Sequence, residues 1–388
     1  MGTGILALPF AFHLAGFAMG CVLCVGGAAF CALSLHMLVV CGRRIDGPVT
    51  FASLCEAALP GSGMAMDVAV IANCLGTSIS YLIVAADCFS ALGIPRTVCV
   101  LASTAMITPA SFFRSLDTLK ASSAVAIGCL IGIVVMVVVF GFDVSASLDP
   151  CPEEDEHNHC GSSVELVAPP LSEFCSLPYF VMAYACQQNA YNAIGELKRP
   201  TKARQLTVVV CAPMLPMLLY LTIAISGYLT FGENVPSNII NAYPHEPLVS
   251  FARAVLGIVV LCNFPLQLFP SRVSALSIIE ARSCSPVDVE GSRLATGDGL
   301  FISAAREVRV TAVFLVACSI TALLVTDLGA VVAVVGSTGA TTVSVVCPAA
   351  AYILLLQGRG EGDRTVLLVA WAMLLIGLVA VLPSSLFC

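Results

Sequence analysis

Long apolar runs separated by short polar segments dominate the chain. Read against the roughly 20 residues needed to cross a bilayer, they predict membrane-spanning helices over residues 2–16, 17–41, 64–91, 97–113, 121–142, 172–194, 205–231, 249–280, 308–326, 327–356 and 365–386. The first two meet at Ala15-Gly16-Phe17 with almost no loop. Glycine interrupts the run 327–356 at Gly336 and Gly339, and the run 249–280 contains Pro265 and Pro270, which predicts a kinked or tilted helix.

Composition agrees with this reading. Of 388 residues, 59% are hydrophobic and 11% charged, about half the charge usual for a soluble domain. The net charge of −7 gives no basic surface for nucleic acid. The N-terminus has no charged region before its apolar run, so no cleavable signal peptide is expected. The basic residues set the orientation. With the N-terminus in the cytoplasm, 15 of the 17 Lys and Arg residues fall on or near the inner side, and only Arg96 and Arg253 fall outside. A miscounted helix would scramble that pattern downstream of the error.

The longest outer loop, residues 143–171, is acidic and places Glu153, Glu154, Asp155, Glu156, His157 and His159 between Cys151 and Cys160. Two His and two Cys are the donor types of a metal site; the preferred reading is a Cys151–Cys160 disulfide facing an oxidising compartment. Most other cysteines lie inside spans, where Cys packs as a small apolar residue. Cys21 and Cys24 form a CxxC in an apolar helix and read the same way. Neither a metal nor an organic cofactor is expected.

Gly2-Thr3-Gly4-Ile5-Leu6 leads to Pro9-Phe10, a poor sequence for a continuous helix. In lipid, irregular backbone survives only where protein buries it or a cavity receives it. This segment therefore predicts either a discontinuous helix whose free amides face a substrate or close helix packing through small residues. A weak echo follows: Leu8-Pro9-Phe10 in the first span and Leu177-Pro178-Tyr179 in the sixth, the latter followed by Gln187-Gln188-Asn189. Interrupted segments in matching positions of two five-helix halves point to an inverted repeat with a midplane site.

Several motifs resemble the amino acid/auxin permease family, which shares an amino acid transporter transmembrane domain. They are Gly2-Thr3-Gly4-Ile5-Leu6 with Pro9-Phe10, Arg114-Ser115-Leu116-Asp117-Thr118-Leu119-Lys120, Glu196-Leu197-Lys198 with Pro200, Gly227-Tyr228-Leu229-Thr230-Phe231-Gly232, and Gly336-Ser337-Thr338-Gly339-Ala340-Thr341. The look is closest to the sodium-coupled neutral amino acid transporters, with proton-coupled and vacuolar transporters near. The resemblance implies an all-α integral membrane protein with a LeuT-like 5+5 inverted repeat plus one helix, about eleven transmembrane helices in a single domain. The first repeat would span about 1–142, the outer loop 143–171, the second repeat about 172–356, and the extra helix 365–386. In that family half of helix 1 precedes the glycine motif, so the first helix is expected to be incomplete here.

The function so implied is secondary active transport of neutral amino acids, with Na+ or H+ as the coupling ion, across a plasma or vacuolar/lysosomal membrane. An amino-acid sensor that binds substrate and signals is the alternative. An intramembrane enzyme ranks last, because no HExxH or similar catalytic set appears. A zwitterion in a low-dielectric centre needs a partner for each charge. Amides around Gly2, Thr3, Gly4 and Ile5 would hold the carboxylate, and carbonyls where helix 6 unwinds, near Ala183 to Cys186, would meet the ammonium. Phe180 and Tyr184 either cover the substrate side chain or pack between helices. The family resemblance gives Asn263 a role in a cation site, with an interhelical hydrogen bond as the alternative. His13 and His36 read as helix-end and packing residues. Asp67, Asp87, Glu173 and Glu196 lie near span ends and are expected to meet water.

Overall fold

The computed structural model describes residues 3–45, 49–112, 120–142, 164–169, 172–195, 197, 201–243, 246–283, 297–357 and 363–381. The described residues are helical, with no strand among them. The helices are α1 (Gly4–Ala15), α2 (Phe17–Gly42), α3 (Phe51–Ala58), α4 (Gly63–Ser90), α5 (Arg96–Ser111), α6 (Lys120–Phe142), α7 (Ser172–Tyr184), α8 (Ala190–Gly195), α9 (Lys202–Phe231), α10 (Pro247–Ser283), α11 (Gly297–Leu324), α12 (Leu328–Val335), α13 (Cys347–Tyr352) and α14 (Arg364–Val381). Among the described residues, seven helical stretches are long and apolar enough to cross a membrane, and Gly4–Ala15 and Ile127–Val139 are shorter apolar helices.

Hydropathy missed α3 because that segment is only eight residues long, too short to cross a bilayer. It starts on a capping box in which Thr50 Oγ1 accepts the Ser53 N–H and Ser53 Oγ accepts the Thr50 N–H. The Glu56 carboxylate accepts the N–H groups of Gly61 and Gly63, which hold its pKa below the usual carboxylate value. The prolines predicted to bend α10 lie inside one continuous helix.

Between α1 and α2 the chain turns on Gly16, at φ +78°. The Glu165 and Leu166 carbonyls accept the first amides of α2, at 2.9 Å and 3.1 Å, satisfying donors that a helix start leaves unpaired. Segments assigned to the same membrane side by the charge pattern meet in space. On the inner side Arg43, at the end of α2, donates to Gln205 at the start of α9, and Arg272 donates to the Ser111 carbonyl at the end of α5. On the outer side Arg96 pairs with Asp87, which also accepts from Asn238 and Asn241. Arg253 is fully buried and donates to the Ile240 and Tyr243 carbonyls.

One expectation is corrected. Asp67 does not meet water: it is 5% exposed and is hydrogen-bonded by Ser274 and Ser277 across the α4–α10 contact. A carboxyl near a helix start is drawn inward here because a neighbouring helix supplies two hydroxyls. Cys151 and Cys160, as well as Glu196, lie outside the described residues. Cys175, near the start of α7, is disulfide-bonded.

Candidate functional site

The helix begun by α7 stops at Tyr184. Ala185 and Cys186 are not helical, Gln187–Asn189 form a tight 3-10 turn, and α8 resumes at Ala190. Freed backbone groups inside a membrane need partners, and side chains provide them. Tyr220 on α9 donates its hydroxyl to the Ala183 carbonyl at 2.9 Å. The Cys31 thiol on α2 donates to the Tyr184 carbonyl at 3.5 Å. Gln187 Oε1 accepts the Cys186 N–H at 2.9 Å, and Gln188 Nε2 donates to the Ala185 carbonyl at 3.4 Å.

The start of α1 lies directly against this break. A side-chain carbon on Gly4 would stand 2.6 Å from Ala183 Cα, so glycine there is the condition for the two segments to touch. Helical backbone is already established at Thr3 (φ −62°, ψ −17°), and Thr3 forms no side-chain cap. The Leu6 amide bonds the Thr3 carbonyl at 3.0 Å, and the amides of Gly4 and Ile5 point out of the helix start, roughly along its axis, as in any helix.

A cavity of about 300 Å³ opens at this junction. Its wall includes Thr3 and Gly4, the Met182–Cys186 segment with Gln188 and Asn189, Tyr220 and Pro213 from α9, Thr77 and Tyr81 from α4, and Asn263 and Gln267 from α10. Gln267 Oε1 accepts from Gln188 Nε2 at 3.1 Å, tying α10 to the break. Three buried side-chain oxygens around the cavity lack a hydrogen-bond partner: Thr3 Oγ1, Gln188 Oε1 and Asn189 Oδ1. None of the described residues lining it is Asp, Glu, Lys, Arg or His. Its described lining thus offers acceptors and dipoles but no charged side chain.

Thr3, Gly4, Tyr184 and Asn263 of the expected site residues share this wall. Ile5 does not reach it; it is buried and lines a small void with Thr3 and Asn263. Phe180 faces a different space. It packs on Phe12, ring centroids 6.1 Å apart, and borders an apolar groove of about 210 Å³ together with Val22, Phe30, Val345, Met373 and Ile376. Gly2 lies outside the described residues. Tyr220, Tyr81, Thr77 and Gln267 were not anticipated. Tyr220 and Gln267 sit within apolar runs as isolated polar groups, the one signal that marks such positions in a membrane. The Phe10 and Tyr179 rings, one from each of the two echoing triplets, meet edge to face at 5.6 Å.

A broken helix facing an uncharged polar cavity inside an apolar bundle is the arrangement of a transporter for small polar molecules. The transmembrane amino acid transporter protein family matches residues 1–387. The chain belongs to this family. It is therefore a multi-pass integral membrane protein of an amino acid transporter family rather than an enzyme. Among its relatives, vacuolar amino acid transporter 6 of Saccharomyces cerevisiae is 28% identical over 391 residues, covering 89% of this chain and 85% of the relative. Vacuolar amino acid transporter 5 of Schizosaccharomyces pombe is 28% identical over 367 residues, 91% and 81% of the two chains. A putative sodium-coupled neutral amino acid transporter 11 of Bos taurus is 24% identical over 395 residues, 98% and 78% of the two.

Proposed function

We propose that this transporter carries neutral amino acids by alternating access, on a LeuT-like 5+5 inverted repeat of eleven helices, in a vacuolar or plasma membrane. The observation that carries the reading is the cavity shared by the start of α1 and the α7–α8 break. Its volume suits a small ligand; such pockets start at about 300 Å³. The α1 amides would take the carboxylate, aided by the helix dipole. The amide oxygens Gln188 Oε1 and Asn189 Oδ1, unpaired beside the break, would take the ammonium. Tyr184 and Tyr220, rings 5.1 Å apart, form the aromatic wall. A charged substrate side chain would find no counter-charge among the described lining residues, which disfavours acidic and basic substrates.

The coupling ion is sodium or a proton. Thr3 Oγ1 is buried without a partner, and Thr3 and Asn263 share both the main cavity and the small void beside it. Neutral oxygens of this kind suit a hard cation, so Thr3 and Asn263 are the sodium candidates. The described lining holds no carboxyl or imidazole to carry a proton; for proton coupling the candidate is buried Asp67 with its two serine partners. Purified protein in proteoliposomes, given a panel of labelled amino acids with sodium and pH varied, tests the reading. Uptake of neutral substrates is expected, and folded protein that takes up no amino acid overturns it.

A further inference from the structure

The α7–α8 break carries a second chemical feature. Cys186 sits in its non-helical segment (φ −131°, ψ −3°), lines the cavity and is exposed. Cys31, on the facing side of α2, is buried at 4% exposure. Their sulfurs are 3.7 Å apart and both thiols are free. Cys31 also donates to the Tyr184 carbonyl and receives the Gln187 amide at 3.6 Å. One thiol is thus open to whatever enters the cavity, and the second waits within contact distance behind it.

We propose that Cys31 and Cys186 form an oxidisable thiol pair that locks the break. A peroxide supplies the oxidant. The Cys186 thiolate attacks one peroxide oxygen, breaks the O–O bond and becomes a sulfenic acid with release of water or, for an organic peroxide, an alcohol. Cys31 then attacks the Cys186 sulfur, the S–O bond breaks, and a second water leaves. The net change with hydrogen peroxide is two thiols and one peroxide to one disulfide and two waters. The sulfurs must close from 3.7 Å to about 2.05 Å. The movement falls on Ala185 and Cys186, which lie between α7 and the following 3-10 turn rather than inside an α-helix. That position is the reason to choose this pair over Cys55 and Cys347, whose sulfurs are 3.4 Å apart but which both sit in helices.

The bond would have two consequences, given the transporter reading above. It removes the thiol that donates to the Tyr184 carbonyl, and it ties α2 covalently to the α7–α8 break that lines the proposed substrate cavity. Oxidation is then expected to lower uptake reversibly.

The test uses the full chain in proteoliposomes exposed to graded hydrogen peroxide, quenched with an alkylating reagent and mapped without reduction. A peptide joining Cys31 to Cys186 is expected, with neutral amino acid uptake reduced at least fivefold and restored by dithiothreitol. Cys31→Ala and Cys186→Ala, each compared with itself under reducing conditions, should lose both the linked peptide and the reversible inhibition. Cys55→Ala should keep both. Recovery of Cys186 as a sulfinic acid or free thiol with no link overturns the pair, as does a link that leaves uptake unchanged. If the reduced protein takes up no amino acid, the transporter reading fails, while the linked peptide alone still decides whether the pair oxidises.

Discussion

Two interrupted helices in this protein solve the same problem in opposite ways. The break between α7 and α8 contains no glycine. Its freed carbonyls and amide are met by Tyr220, Cys31, Gln187 and Gln188, and a cavity opens beside it. The stretch that follows α12 contains Gly336 and Gly339, yet it stays wound as π-helical turns at Gly336–Ala340 and Thr342–Val346. Its glycines are contact points. A side-chain carbon at Gly336 would lie 2.2 Å from the Pro178 carbonyl oxygen, and one at Gly339 would lie 2.7 Å from the Asn73 nitrogen. Gly4 belongs with these two, since Ala183 fills its empty side. At Gly4, Gly336 and Gly339 glycine marks where helices touch, and at the α7–α8 break polar side chains mark where a helix opens.

The largest expected effects come from the packing glycines. Gly336→Leu and Gly4→Leu drive a side chain into backbone, where neither partner can yield cheaply; overpacking costs about 1–3 kcal/mol or more. Gly336→Leu should reduce the yield of monodisperse folded protein in detergent. Gly4→Leu should abolish uptake by displacing α1 from the break. A Gly4→Leu protein that transports normally would mean that α1 and the break do not meet in the working state.

Next in size is Tyr220→Phe, which deletes one hydroxyl and leaves the ring. The Ala183 carbonyl loses its donor, a loss of about 1–3 kcal/mol for a buried group. Uptake should fall several-fold while folded yield stays near wild type. Equal loss of yield and uptake would place Tyr220 among packing residues and dissolve the contrast with the glycines. Asn263→Ala should raise the sodium concentration for half-maximal uptake with unchanged expression. Uptake indifferent to sodium and responsive to pH would shift the cation role to Asp67.

The smallest effect is expected at Phe180. Its ring packs on Phe12 beside the apolar groove, so Phe180→Leu should leave the order of preferred amino acids unchanged. An altered order would return Phe180 to the substrate wall.

Much of the helical layout was legible because lipid enforces it: a run long enough to cross a bilayer has few other fates, and the positive residues orient it. α2, α4, α9 and α10 end within a few residues of their apolar runs. An interruption of the sixth run was also readable from the polar Gln187-Gln188-Asn189, and the structure puts the non-helical residues at Ala185 and Cys186, with Ala183 and Tyr184 still in α7. The rest of the site depends on distant residues. Nothing local to Tyr220 tells that its hydroxyl ends on a carbonyl 37 positions earlier, and nothing local to Gly4 separates a close helix contact from a close ligand contact. Phe180 and Tyr184 are one turn apart on the same helix and both border the apolar groove, but only Tyr184 also reaches the main cavity. Asp67 was misread for the same reason, since its serine partners lie on α10.

The central claim is that substrate occupies the cavity between the start of α1 and the α7–α8 break. Cys186 is an exposed thiol in that wall, so its alkylation rate reports occupancy. Reduced protein should be treated with a small water-soluble maleimide, with and without a saturating transported amino acid, and followed by peptide mapping. The account predicts that the substrate slows labelling of Cys186 several-fold relative to the same protein without it, whereas an amino acid that is not transported leaves the rate unchanged. Robust uptake of that amino acid together with unprotected Cys186 would place the substrate elsewhere and contradict the account.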